Sequence, residues 1–159
     1  MTARVADTKP ALLDINVLIA LIDPAHQFHD RAHVWFKARR AAGWATCPIT
    51  ENGCLRIMSN PGYPFPGLTV ERVRGILAEL IRVEGHRFWP DSVSLLQPKH
   101  PRPGPVDLSQ TTPKHLTDLY LLSLAIARRG RLVTFDRAIP VRAVAGFRPH
   151  HIEVLAAEP

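Results

Sequence analysis

Two short apolar runs, each ending in an acid, constrain this chain more than any other feature. Ala11-Leu12-Leu13 leads into Asp14, and Leu132-Val133-Thr134-Phe135 leads into Asp136. Each suits a buried strand whose carboxyl end delivers a carboxylate, the place where parallel α/β sheets carry their ligands. The rest of the chain alternates short strands with helices, a pattern that predicts an α/β fold around a mainly parallel sheet. Helices are expected over residues 17–21, 29–42, 50–58, 69–83 and 113–129. Strands are expected over 10–13, 44–46, 131–134 and 152–155, with strand or loop over 88–90.

Local signals set those bounds. Asn16 and Thr50 are placed to cap the helices that follow them, and Thr69 to begin another. Thr112-Pro113 is a helix start, with proline at the first helical position. Gly43 and Gly130 follow the expected ends of two helices. Residues 97–112 hold four prolines and few large apolar groups, so they read as a loop, and residues 1–9 as a loose end. The 159 residues form one domain, able to bury roughly 70% of the extended-chain surface.

Composition removes several classes. The longest wholly apolar run has six residues, from Val17 to Ile22, far below the ~20 of a membrane-spanning helix. The first ten residues have no signal-peptide core, so cytoplasmic residence is the expectation. Cys47 and Cys54 leave two free thiols or one disulfide open and match no zinc spacing. No phosphate-binding loop, dinucleotide fingerprint or serine-nucleophile elbow is present. His26, His29 and His33 read as surface, capping or packing residues.

Charge points to a partner. Twenty Lys and Arg against fourteen Asp and Glu give a net +6, which suits an anionic partner: nucleic acid, an acidic protein or a membrane surface. Basic groups fall at Lys37, Arg39 and Arg40, at Arg72, Arg74 and Arg82, and at Arg128, Arg129 and Arg131. Against this background four acids stand near element ends: Asp14, Glu51, Asp118 and Asp136. Removing those four from the count raises the charge from +6 to +10, so an acidic centre within a basic exterior is available. Gathered carboxylates repel one another unless protonated or neutralised. One or two Mg²⁺ or Mn²⁺ ions would neutralise them and would activate water against a phosphodiester.

The passages LLDINVLIAL, ITENGCLRI, LTDLYLLSLA and LVTFD, in that order, resemble the successive signatures of PIN-domain ribonucleases, especially VapC toxins of type II toxin–antitoxin modules. The likeness runs from about Leu12 to Leu155. It implies a PIN-like three-layer α/β/α sandwich, with Asp14, Glu51, Asp118 and Asp136 around Mg²⁺ or Mn²⁺. It further implies endoribonucleolytic cleavage of tRNA or rRNA, a homodimer, and inhibition by a VapB antitoxin. Asn16 and Thr134 match polar positions that support the acids. His115, Arg128 and Arg129 are candidates for substrate contact. Asp91, in FWPDSVSLL, is outside the principal motif positions and reads as a turn or helix start. A non-catalytic basic RNA-binding or regulatory protein on the same scaffold is the alternative, and a DNA nuclease is another.

Overall fold

The computed structural model describes residues 9–96, 106–109 and 111–155. Five strands form one all-parallel sheet: β1 (Ala11–Leu13), β2 (Trp44–Thr46), β3 (His86–Phe88), β4 (Arg131–Thr134) and β5 (Ile152–Val154), in the order β3-β2-β1-β4-β5. The chain builds outward from β1 in one direction through β2 and β3, then returns to place β4 and β5 on the other side. That reversal puts a crevice between the carboxyl ends of β1 and β4, where open α/β sheets take ligands. Asp14 and Asp136 leave the sheet on either side of it. The expected residues 1–8 and most of the loop 97–112 lie outside the described residues.

Alternation along the strands sets the layers. Ala11 and Leu13 enter one core with α1 (Ile15–Ile22), α2 (His29–Arg39), α3 (Pro48–Met58) and α4 (Val70–Leu80). Leu12 and Leu132 face the other core, against α5 (Leu116–Ala127). Successive side chains point to opposite faces, so both faces of β1, β2 and β4 are covered and these strands are wholly buried. The result is the expected three-layer α/β/α sandwich. Cys54 lies in the first core and Cys47 in the second, and both are free thiols. No helix among the described residues is long and apolar enough to cross a membrane.

The caps differ from expectation. Asp14, not Asn16, caps α1, because β1 ends at Leu13 and the helix begins immediately at Ile15. Asn16 is then inside the helix, free to reach across to β4. Cys47 caps α3, and Pro48 takes the first helical position, which its fixed φ and missing N–H suit. Thr50 sits one turn later and accepts the Cys47 N–H at 2.9 Å. Thr69 caps α4 as expected, accepting from the Arg72 N–H, although the helix stops at Leu80.

Helix ends also shift. Residues Arg40–Ala42 tighten into a 3₁₀ turn after α2, and Pro113–His115 form another before α5. Two further 3₁₀ turns, Val141–Ala143 and Pro149–His151, have no sequence-level expectation behind them. At the end of α5 the left-handed residue is Arg129, φ 57°, rather than Gly130. Gly130 serves another purpose: a Cβ there would run into the Pro10 carbonyl and the Trp89 ring. Phe36 packs edge-on against Trp44 at 5.0 Å and is buried. Phe28 stacks on Phe135 at 4.5 Å.

Candidate active site

Asp14 anchors the site. It is 5% exposed. Its Oδ1 accepts the Ile15 N–H at 2.7 Å, and its Oδ2 accepts the Thr134 hydroxyl at 2.6 Å. A hydroxyl has one proton and two lone pairs, and Thr134 uses all three. Its proton goes to Asp14, while its oxygen accepts the Asp136 N–H at 3.0 Å and the Asn16 Nδ2 at 3.2 Å. Asn16 Oδ1 in turn accepts the Phe135 N–H at 3.2 Å. Asn16 and Thr134 thus tie the carboxyl ends of β1 and β4 into one polar unit beneath the acids.

Burial pushes the Asp14 carboxyl up to about 6. The bond from Thr134 opposes this, while the charges of Asp118 and then Asp136 add to it. Asp118, in the first turn of α5, is likewise raised by burial and by Asp136, and His115 pulls it back. Asp14 and Asp118 thus both lie within reach of the Asp136 charge. Asp136 gives Oδ1 to the Ala138 N–H at 2.7 Å. His115 turns inward: its Nδ1 is buried without a hydrogen-bond partner, 3.6 Å from Asp118 Oδ2. One ligand atom each from His115, Asp118 and Asp136 lies within 4.8 Å of the other two.

A cation fits this donor set. Carboxylate oxygens dominate it, as Mg²⁺ or Mn²⁺ requires, and burial together with neighbouring carboxylates raises Asp14 and Asp118, a cost that a bound cation would offset. The orphaned Nδ1 of His115 is a further donor facing the same space.

Glu51 stands slightly apart. It lies in the first turn of α3, at the same sheet edge, but it is not among the charges raising Asp14 or Asp118. Its Oε1 accepts the Thr46 hydroxyl at 2.6 Å, and His86 Nε2 lies 2.8 Å from the same hydroxyl oxygen. Burial lowers the His86 imidazole, and the Glu51 charge opposes that. Sequence reading missed Thr46 and His86. The available signal was a hydroxyl at the last position of a buried strand, as in the LVTFD run.

The remaining candidates are elsewhere. Arg128 and Arg129 follow the far end of α5, about 15 Å along its axis from Asp118 at 1.5 Å per residue. Arg128 reaches the Pro90 carbonyl at 3.3 Å, and the structure does not bring either arginine to the acids. Asp91 is exposed beyond β3, where its charge acts on the Tyr120 phenol and the Cys47 thiol, both raised first by burial. His29 and His33 contact the Ala20 and Leu21 carbonyls at 2.8 and 2.9 Å, closing the end of α1. Several basic groups are paired with acids: Arg74 with Glu71, Arg82 with Glu79, and Arg39 with Glu153.

An all-parallel α/β/α sandwich whose switch-point crevice gathers three aspartates is a PIN-like nuclease architecture. No protein-family model matches the chain. Ribonuclease VapC44 of Mycobacterium tuberculosis is 43% identical over 146 residues, covering 91% of this chain and 99% of that protein. Ribonuclease VapC39 of the same organism is 42% identical over 145 residues, with the same coverage of 91% and 99%. Ribonuclease VapC38 is 40% identical over 129 residues, covering 81% and 86%. The chain belongs to the VapC ribonuclease family of PIN-domain toxins.

Proposed function

We infer that this protein is a toxin of the VapC type that cleaves RNA endonucleolytically with a divalent cation, Mg²⁺ or Mn²⁺, held at the β1/β4 crevice. One observation carries the reading: Asp118 and Asp136, far apart in sequence, each bring a ligand atom within 4.8 Å of the other and of His115, at the sheet edge where Asp14 lies buried. Asp14, Asp118 and Asp136 would hold the cation, with His115 steadying Asp118. Bound there, a divalent cation lowers the pKa of water and stabilises charge on a phosphodiester.

The protein's own groups do the rest. Thr134 and Asn16 keep Asp14 and Asp136 in place, so little reorganisation is needed when charge develops. Glu51 accepts a proton from the attacking water through Oε2, since Oε1 is already engaged by Thr46. In-line attack at phosphorus leaves 5′-phosphate and 3′-hydroxyl ends. The surplus of basic side chains holds the RNA backbone by counterion release. The substrate class is tRNA or rRNA, the inhibitor a VapB-type antitoxin, and the active form a homodimer.

Cleavage-site mapping on total cellular RNA tests this reading, with wild type and D14N each supplied with Mg²⁺ or Mn²⁺. The expected result is discrete cuts with 5′-phosphate ends from wild type and their loss in folded D14N. Tight RNA binding with no cuts under any of these conditions contradicts it, as does a folded D14N that cuts like wild type.

A further inference from the structure

Thr46 is the last residue of β2, and its side chain is completely buried between Glu51, one helix turn beyond the strand, and His86 from the edge strand β3. An ionised carboxylate only accepts hydrogen bonds, so the 2.6 Å contact with Glu51 Oε1 uses the single proton of the Thr46 hydroxyl. The 2.8 Å contact with His86 Nε2 must then run the other way, with the imidazole N–H donating to the Thr46 oxygen. A charged imidazole carries a proton on Nε2, and a neutral one donates to the Thr46 oxygen as its Nε2–H tautomer. His86 has little freedom to do otherwise. It pairs with Trp44 in the sheet register, and its ring lies 4.6 Å from the Trp44 ring. Trp44 is itself held by a 3.1 Å bond from Nε1 to the Glu84 carbonyl.

We propose that Thr46 and His86 are positioning residues for Glu51, a two-step donor chain from His86 Nε2–H through the Thr46 hydroxyl to Oε1. The chain commits one carboxylate oxygen to the protein and leaves Oε2 as the oxygen that meets the reacting water. It does so from β2 and β3, the strands on the side of β1 opposite Asp136. Glu51 is therefore held separately from the Asn16–Thr134 unit that ties β1 to β4. The proposal deepens the nuclease reading above and rests on Glu51 acting in that reaction.

Two measurements on the full chain test it. Histidine ¹⁵N NMR of the cation-free protein should show His86 carrying its proton on Nε2, with a signal that moves in T46V and in E51A. In RNA cleavage, T46V should lose about 10- to 100-fold and H86F, which keeps the ring against Trp44, about 3- to 10-fold, as for bonds to a charged group. T46S and H86Q, which keep a donor, should stay within about threefold of wild type. In an E51A background neither T46V nor H86F should slow cleavage further. An Nδ1–H tautomer of His86 would overturn the proposal. So would losses from T46V or H86F that are as large with E51A as without it, since that is the mark of a merely structural role. Should wild type cut no RNA, the functional reading fails separately and the spectrum decides: indifference of the His86 signal to E51A refutes the donor chain, and its movement upholds it.

Discussion

The carboxyl edge of the sheet holds two acids by the same device, and the two differ in what backs it. On one side the last residue of β4, Thr134, donates to Asp14; on the other the last residue of β2, Thr46, donates to Glu51. Both bonds are 2.6 Å. Thr134 is backed by the Asp136 N–H and the Asn16 amide, groups fixed by the strand end and by α1. Thr46 is backed by one side chain, His86, from the edge strand β3. Asp14 is sealed and crowded by like charges, so its carboxyl is pushed up to about 6. Glu51 is half-buried and outside that crowd. The sheet separates a centre that concentrates charge from a neighbouring acid that is held by one oxygen and open at the other.

The contrast is broken most severely by removing the concentrated charge. D14N or D118N should lower RNA cleavage by about 10²- to 10³-fold, the range for deleting a preorganised electrostatic group. Circular dichroism should stay native, because the fold does not depend on the charge and substitution by an amide relieves repulsion, although in D14N the Thr134 hydroxyl gives up its acceptor. Next in size is stability. T134V removes the donor to a buried carboxylate and the acceptor for two N–H groups, so urea unfolding should show a loss of about 2–3 kcal/mol. T46V, whose partners are partly open to water, should lose about 1 kcal/mol. Equal losses would mean that the two hydroxyls are backed alike.

The pH dependence sharpens the same contrast. The folded protein binds the Asp14 proton more tightly than the unfolded chain does, because the carboxyl rises from 3.8 to about 6. Stability from this group is therefore fully present below about pH 4 and lost as pH rises through 6. The total is about 3 kcal/mol from a two-unit rise. Thermal melts in chelator should show wild type losing ground between pH 4.5 and 7, D14N losing less, and added Mg²⁺ restoring wild type near neutrality. The smallest effect concerns distance from the edge. R128A should leave cleavage within about twofold, as a change to an exposed group away from the site generally does.

Much of this edge was legible in the sequence. The strands over 44–46 and 131–134 match the structure residue for residue, because each is a short apolar run cut off by a turn or helix signal. Asp14 and Asp136 were visible as acids closing such runs. The caps were less legible, since several polar residues compete at each helix start and only the strand end decides among them. Asp14 thus displaced Asn16, and Cys47 with Pro48 displaced Thr50. The meeting of His115 with Asp136 and of His86 with Thr46 depends on contacts between distant segments. No local periodicity encodes them. Arg128 and Arg129 stood out by charge, but charge carries no information on which end of α5 faces the acids.

The central claim is that three aspartates share one pocket whose crowded charge a divalent cation would offset. Titration of the Asp14 carboxyl by ¹³C NMR in cation-free protein tests it directly. A midpoint near 6 that falls in D118N, in D136N and on adding Mg²⁺ is the expected result. An ordinary carboxylate midpoint near 4, indifferent to both substitutions and to Mg²⁺, would contradict it.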